Sequence, residues 1–191
     1  TMEEPLLTRA EAYVMLGRYD DATADVNTYI KSIIKTGANY FAKDLTTDDI
    51  VNFYSPIEYA TWDNPTIKKK LNPAFSIGAE GGTRESMLQC VLGMKRIALI
   101  AEGLRWFDVK RYGIEIWRRT MEPDSQAGQY DAAMKPMRLD DVLTVNDPRR
   151  ALQLPQEVIS AGMTPNPREP QPENEAVIVD IQPKTLPEDN Q

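Results

Sequence analysis

Between Arg84 and Tyr112 apolar residues recur at three- and four-residue intervals over a longer stretch than anywhere else in the chain. Leu88, Val91, Leu92, Leu99, Trp106 and Val109 mark one line, on which Lys95 and Glu102 also fall. Cys90, Ile97, Ile100, Ala101, Leu104 and Phe107 broaden the apolar face. The spacing predicts one central helix over 85–111, about 40 Å long at about 1.5 Å per residue, with Leu99, Trp106 and Phe107 buried. Thr83 is its natural cap, Glu85 suits the positive end of the helix dipole, and Lys110, Arg111 and Gly113 close it. Gly93 and Gly103 each lower helix propensity by about 1 kcal/mol relative to alanine. A glycine kept inside a helix marks the close approach of another element.

Residues 5–35 read as a helical hairpin. Leu6, Ala10, Tyr13 and Val14 share one face of the first helix, and Ala22, Val26, Tyr29, Ile30 and Ile33 one face of the second. Pro5 fits a first turn, Gly17 ends the first helix, Asp20 or Asp21 caps the second, and Gly37 ends it. The tetratricopeptide pattern, a helix-turn-helix of about 34 residues, places a small residue where Ala10 stands, tyrosine at Tyr13 and A-x3-F at Ala22 and Val26. Small residues there let the two helices approach closely. Arg9 departs from the pattern's leucine, and its terminal proline is missing near Ile34. One such unit is evident.

Periodicity is lost over 37–83, where Asn, Pro and Gly punctuate the chain. Seven of the fifteen aromatic residues fall here: Tyr40, Phe41, Phe53, Tyr54, Tyr59, Trp62 and Phe75. That density argues for an ordered loop rather than a disordered one. One short helix is expected within 44–54, capped around Thr46 or Thr47, with Ile50, Val51 and Tyr54 inward. Ile114, Trp117, Arg118 and Met121 suggest further helical turns, followed by a loop over 123–128. Six of the fourteen prolines lie in 164–191, so this acidic tail cannot be helical; Val177–Val179 could add an edge strand. The division is a helical domain over 1–163 and a Pro-rich tail over 164–191. The fold class is all-α, with tetratricopeptide-like hairpins and long irregular loops.

Composition removes several functions. Acidic residues outnumber basic ones 29 to 22, a balance unsuited to a phosphate-binding surface, so no nucleic acid partner is expected. There is no histidine, which removes the triads built on it, its proton shuttles and most zinc sites. Cys90 stands alone, so there is neither a disulfide nor a thiolate cluster, and a small buried hydrophobe is its expected role. No metal, cofactor or catalytic residue is nominated. The longest purely apolar run, Ile97–Ala101, is far short of a membrane span. The chain opens in mid-pattern and without a signal peptide, so its start reads as a boundary within a longer protein, and compartment does not follow from it.

Two sets of residues carry polar or aromatic chemistry. Glu102 with Arg105 and Asp108 with Arg111 are three apart, a spacing at which ion pairs stabilise a helix. Glu102 and Asp108, six apart, point to different faces and make a poor acid–base pair, so all four are expected to be structural. Tyr59-x-x-Trp62-Asp63-Asn64, with Tyr54 nearby, offers flat rings for the apolar faces of a sugar and polar groups for its hydroxyls. The same aromatics could instead pin the loop to the helices. Trp62, Tyr59, Tyr54, Asp63 and Asn64 are the candidate ligand-binding residues.

The run Glu102-Gly103-Leu104-Arg105-Trp106-Phe107-Asp108-Val109-Lys110-Arg111-Tyr112-Gly113 resembles a motif near the end of the SusD/RagB family. So, in family order, do Arg9–Ala22 upstream and Leu154-Pro155-Gln156-Glu157-Val158-Ile159 with Asn166-Pro167 downstream. Lys95-Arg96 stands where the family usually has Glu-Arg, and the chain runs on past Pro167 where members usually end. The resemblance implies a C-terminal part of a longer protein with a SusD-like helical fold. It implies a surface-exposed lipoprotein of the Bacteroidetes outer membrane, held there only by a lipid anchor absent from this chain. It implies carbohydrate binding and nutrient uptake, with delivery to a SusC-like TonB-dependent transporter, and no enzymatic activity. The alternative is a peptide-binding or scaffolding helical-repeat protein, with its aromatics along a concave helix surface. A glycoside hydrolase would need two carboxylates flanking a cleft, and no such pair can be named.

Overall fold

In the computed structural model, residues 3–33, 43–121 and 137–168 are described. Two compact units divide at Ile114 and Glu115. The first holds α1 (Glu3–Met15), α2 (Tyr19–Ile33), α3 (Thr47–Tyr54), α4 (Thr83–Ala98) and α5 (Arg105–Arg111). The second holds β1 (Ile116–Met121), β2 (Met137–Leu143), a short 3-10 turn (Pro148–Arg150) and α6 (Gln156–Ser160). The described residues are predominantly helical, and the fold is all-α with a single two-stranded ribbon among them.

The hairpin forms where the spacing places it. Gly17 adopts φ +75°, a left-handed conformation that costs glycine nothing. Its N–H donates to Val14 O at 3.0 Å and the Arg18 N–H to Tyr13 O at 2.8 Å, so the carbonyls at the end of α1 are satisfied. Arg9, the departure from the repeat pattern, forks onto Asp25 of α2 at 2.8 and 2.7 Å. Leu7, Ala10 and Val14 meet Ala22, Val26, Tyr29 and Ile30 in the core. Ile33, expected inside, is 47% exposed, one turn beyond the last core residue of α2. Asp20 and Asp21 lie in the first turn of α2 rather than at its cap.

Helix α3 begins with a capping box. Asp49 N–H donates to Thr46 Oγ1 at 3.1 Å, and the Thr46 N–H to Asp49 Oδ2 at 2.9 Å. Ile50 is buried, while Val51 and Tyr54 are half-buried. Helix α4 runs through the middle of the unit and packs against α1, α2, α3 and α5. Its Met87, Leu88, Cys90, Val91 and Leu92 are buried.

The single helix expected over 85–111 is two helices. α4 stops at Ala98, and α5 restarts at Arg105. Between them Ala101 and Gly103 take φ +66° and +74°, which no α-helix accommodates. Leu99 is buried as expected, and Trp106 packs half-buried against the core. Phe107 is not buried: it is 67% exposed, because the turn rotates α5 away from the phase of α4. Ile97 and Ile100, which extended the apolar face in the sequence, are 58% and 78% exposed.

In the second unit the expected helical turns over 114–121 are replaced by β1, antiparallel to β2 with an irregularity between Arg118 and Arg119. Isoleucine, tryptophan and threonine in this stretch favour extended backbone. Arg149 locks the base of the ribbon, donating to Asp141 Oδ2 at 2.7 Å, to Asp147 Oδ2 at 2.6 Å and to Val142 O at 2.8 Å. These bonds hold the Asp147 carboxyl down to about 2. Downstream, Asn166 N–H donates to Gln153 Oε1 at 2.9 Å and Gln153 Nε2 to Asn166 O at 3.0 Å, closing the turn around α6. Gly37 and the loop over 123–128 lie outside the described residues. So do residues 169–191, which include most of the Pro-rich tail and Val177–Val179.

Candidate functional site

Segment 55–82 runs from α3 to α4 without regular structure, and its backbone is stitched shut. Ala60 N–H donates to Lys68 O at 2.8 Å, and the Thr66 hydroxyl to Glu58 O at 2.8 Å. Residues 58–68 therefore form a ring closed at its base. At the far side is a turn in which Thr61 N–H donates to Asn64 O at 3.0 Å, Thr61 Oγ1 to Asp63 Oδ1 at 2.6 Å, and Asn64 N–H to Thr61 Oγ1 at 3.1 Å. Trp62 sits in that turn, half-buried, with Asp63 and Asn64 exposed beside it. The Thr61 hydroxyl, followed by backbone N–H groups, holds the Asp63 carboxyl below its ordinary range.

Tyr59 and Tyr54 are both half-buried, and both lean on α4. The Tyr59 hydroxyl donates to Glu85 Oε1 at 3.3 Å, and its ring centre lies 4.9 Å from Lys68 Nζ. Burial, and then the Glu85 and Glu80 carboxylates, push its phenol well above the usual range. Tyr54 stands edge-on to Phe53, with ring centroids 5.0 Å apart. Its oxygen is 3.4 Å from where a Cβ on Gly93 would be, so the helix-interior glycine does mark a close approach. Burial pushes the Tyr54 phenol up to about 12. Glu85 and Gly93 are two turns apart on α4, or about 12 Å along its axis. Trp62, Asp63 and Asn64 thus share one turn, Tyr59 stands at the base of the same ring, and Tyr54 is placed further along α4.

What fixes this loop was missed in the sequence. Glu85 is 1% exposed and gathers Tyr59, Lys68, Gln89 and the Gly81 N–H. Gln89 clips the backbone of Lys69, donating to its carbonyl at 2.6 Å and accepting from its N–H at 3.2 Å. Asn72 N–H donates to Tyr112 O at 2.7 Å, and Asn72 Nδ2 to Gly113 O at 3.1 Å. The one available signal was that Glu85 and Gln89 stand one helical turn apart on the same face.

The motif residues 102–113 build a buried ionic core rather than a site. Lys95 Nζ donates to Glu11 Oε2 at 2.9 Å and to Asp108 Oδ1 at 2.8 Å, and the Tyr112 hydroxyl to Glu11 Oε1 at 2.6 Å. Arg105 reaches Asp108 at 3.3 Å and Arg111 reaches Glu11 at 3.4 Å. Burial alone would lower the Lys95 ammonium, but the two carboxylates outweigh it and hold it above its ordinary range. Glu102 is exposed in the turn between α4 and α5. Cys90 is buried on α4, and burial pushes its thiol up to about 12.

A concavity of about 510 Å³ lies between α2 and residues 44–47, lined by Asp20, Thr23, Asn27, Lys31, Asp44 and Thr47 among others. Its polar groups bind one another: Lys31 meets Asp44 at 2.7 Å, Thr47 donates to Asp20 at 2.8 Å, and Asn27 holds the Leu45 backbone. No aromatic side chain lines it among the described residues. No three acidic or cysteine side chains among the described residues come together to hold a metal. No helix among them is long and apolar enough to cross a membrane.

No curated protein matches this chain, and neither does any solved structure. The sequence profile of the SusD family matches residues 3–161, from the first helix of the hairpin to the end of α6. That stretch includes the buried Lys95–Glu11–Asp108 core and the ring that carries Trp62. The chain belongs to the SusD family, SusD/RagB, a family known for binding nutrients at the cell surface.

Proposed function

We propose that the nutrient is an oligosaccharide and that the 58–68 loop takes part in holding it. The observation that carries this reading is the placement of Trp62 in a closed turn, half-buried, with Asp63 and Asn64 exposed directly after it. An indole covers the apolar C–H face of a sugar ring, and the neighbouring carboxylate and amide meet its hydroxyls. Tyr59 stands at the base of the same ring with its hydroxyl committed to Glu85, and Tyr54 lies further along α4, so Trp62 carries the platform. Each hydrogen bond to a hydroxyl contributes about 1 kcal/mol net, so affinity rests on several shared contacts. Binding of this kind needs no covalent step and no cofactor.

The bound sugar passes to a SusC-like TonB-dependent transporter, and a lipid anchor holds the protein at the outer-membrane surface. Family membership supports both steps. A glycan array probed with the full-length protein, with peptides as the control, tests the reading. Retention of oligosaccharides but not peptides supports it; retention of peptides alone favours a peptide-binding helical repeat.

A further inference from the structure

One carboxylate holds both ends of the ring that carries Trp62. Glu85, in the first turn of α4, has Oε2 3.1 Å from Lys68 Nζ and accepts the Gly81 N–H at 3.2 Å. Its Oε1 accepts the Tyr59 hydroxyl at 3.3 Å and the Gln89 amide at 3.0 Å. Tyr59 opens the ring and Lys68 closes it. Lys68 and Glu85 are 0% and 1% exposed. The Lys68 ammonium stands at ion-pair distance from Glu85 but outside hydrogen-bond alignment, and 4.9 Å from the centre of the Tyr59 ring. Its attraction is therefore Coulombic, toward a carboxylate and the face of a phenol.

Burying an ion pair is an inefficient route to stability. Removing two charges from water largely cancels their attraction, and well-packed apolar residues of similar volume serve as well. What such a pair can supply is a single arrangement. Among the described residues Lys68 pairs with one carboxylate, and that carboxylate is already oriented by Tyr59, Gln89 and Gly81. We propose that Glu85 and Lys68 are positioning residues: a buried clasp that selects one conformation of the 58–68 ring and so sets how Trp62, Asp63 and Asn64 are presented. The functional weight of the clasp rests on the reading of this loop as a ligand face. The clasp itself belongs to the free protein and is tested without ligand, so its failure and the failure of that reading are seen separately.

The test is fluorine NMR of the full chain labelled with 5-fluorotryptophan. The three tryptophans give three resonances, and Trp62 is assigned by its loss in Trp62→Phe. In the double variant Lys68→Met with Glu85→Gln, whose amide oxygen can still accept from Tyr59 and Gln89, the chain is expected to stay folded with a melting midpoint lowered by the lost Gly81 contact. The Trp62 resonance is expected to broaden or split, while Trp106 and Trp117 stay in place. Tyr59→Phe, which deletes one hydroxyl and no charge, is measured alongside and carries the same test should the double variant not fold. A shifted, broadened or split Trp62 resonance in a folded variant supports the clasp. A sharp, unshifted one overturns it and leaves Glu85 and Lys68 as packing alone.

Discussion

The ammonium of Lys95 and the carboxylate of Glu11 stand 2.9 Å apart, although 84 residues separate them in the chain. Lys95 also meets Asp108, so one cation ties α1, α4 and α5 together. Neither Glu11 nor Lys95 has water to fall back on, with side chains 4% and 11% exposed. Removing the ammonium leaves two buried carboxylates without the cation they share. Lys95→Met should therefore cost about 3 to 5 kcal/mol, read as a lower midpoint in urea. A change within about 0.5 kcal/mol, as for an ordinary surface site, would show that the network is incidental.

Gly113, the last residue of the motif, adopts φ +56°, and a Cβ there would collide with the Asn72 carbonyl oxygen. Gly17 is equally left-handed, but a Cβ there meets nothing within 4 Å. Gly17→Ala should lose only the backbone term of about 1 to 2 kcal/mol. Gly113→Ala should lose more, because the loop must also let go of Tyr112 and Gly113. Equal losses in thermal melts would contradict the close approach.

Alkali should unfold the protein earlier than its composition suggests. Burial raises the Cys90 thiol and the Tyr54 phenol to about 12, and burial with the Glu11 carboxylate raises Tyr112 further. The folded state keeps these protons, whereas an unfolded chain releases them from about pH 8.5 for cysteine and about pH 10 for tyrosine. Their stabilising contribution is present below those values and is lost as pH rises toward the folded pKa. Lys95, raised by its carboxylates, adds the same sign above about pH 10.4. Melting midpoints should fall steadily above about pH 8.5. Cys90→Ala should flatten the first part of that fall, and a flat profile in the unaltered chain would be inconsistent with these burials.

The apolar residues on either side of the α4–α5 turn should behave oppositely. Leu92 is 2% exposed and Phe107 67% exposed. Leu92→Ala should cost about 2 to 5 kcal/mol. Phe107→Ser should stay within about 0.5 kcal/mol. A large loss at Phe107 would restore the single long helix.

Much of the fold was legible because local chemistry decided it. The hairpin follows from apolar spacing and Gly17, and α3 from the Thr46–Asp49 box. The break at 99–104 was not legible from Ala101, which is no helix breaker by type; Gly103, at φ +74°, was its one local signal. Phe107 misled in turn, since periodicity assumes an unbroken helix. β1 was hidden because its partner lies beyond residue 136, and a lone strand of this composition reads equally as helix. At the candidate site, the cluster Trp62-Asp63-Asn64 was visible as a composition. Its anchors were not: Lys68 sits in a run of three lysines that reads as a solvated surface, and Glu85 reads as a helix-dipole partner. Only the tertiary structure brings those two charges together.

The claim at the centre of this account is that Trp62 contributes to ligand binding rather than to folding. Calorimetric titration of the full-length protein and its Trp62→Ala variant, against an oligosaccharide retained on the array, tests it most directly. The account predicts roughly tenfold weaker binding, about 1.4 kcal/mol, with the melting midpoint unchanged. Unchanged affinity in a folded variant would contradict it and leave these aromatics as pins that hold the loop to α4.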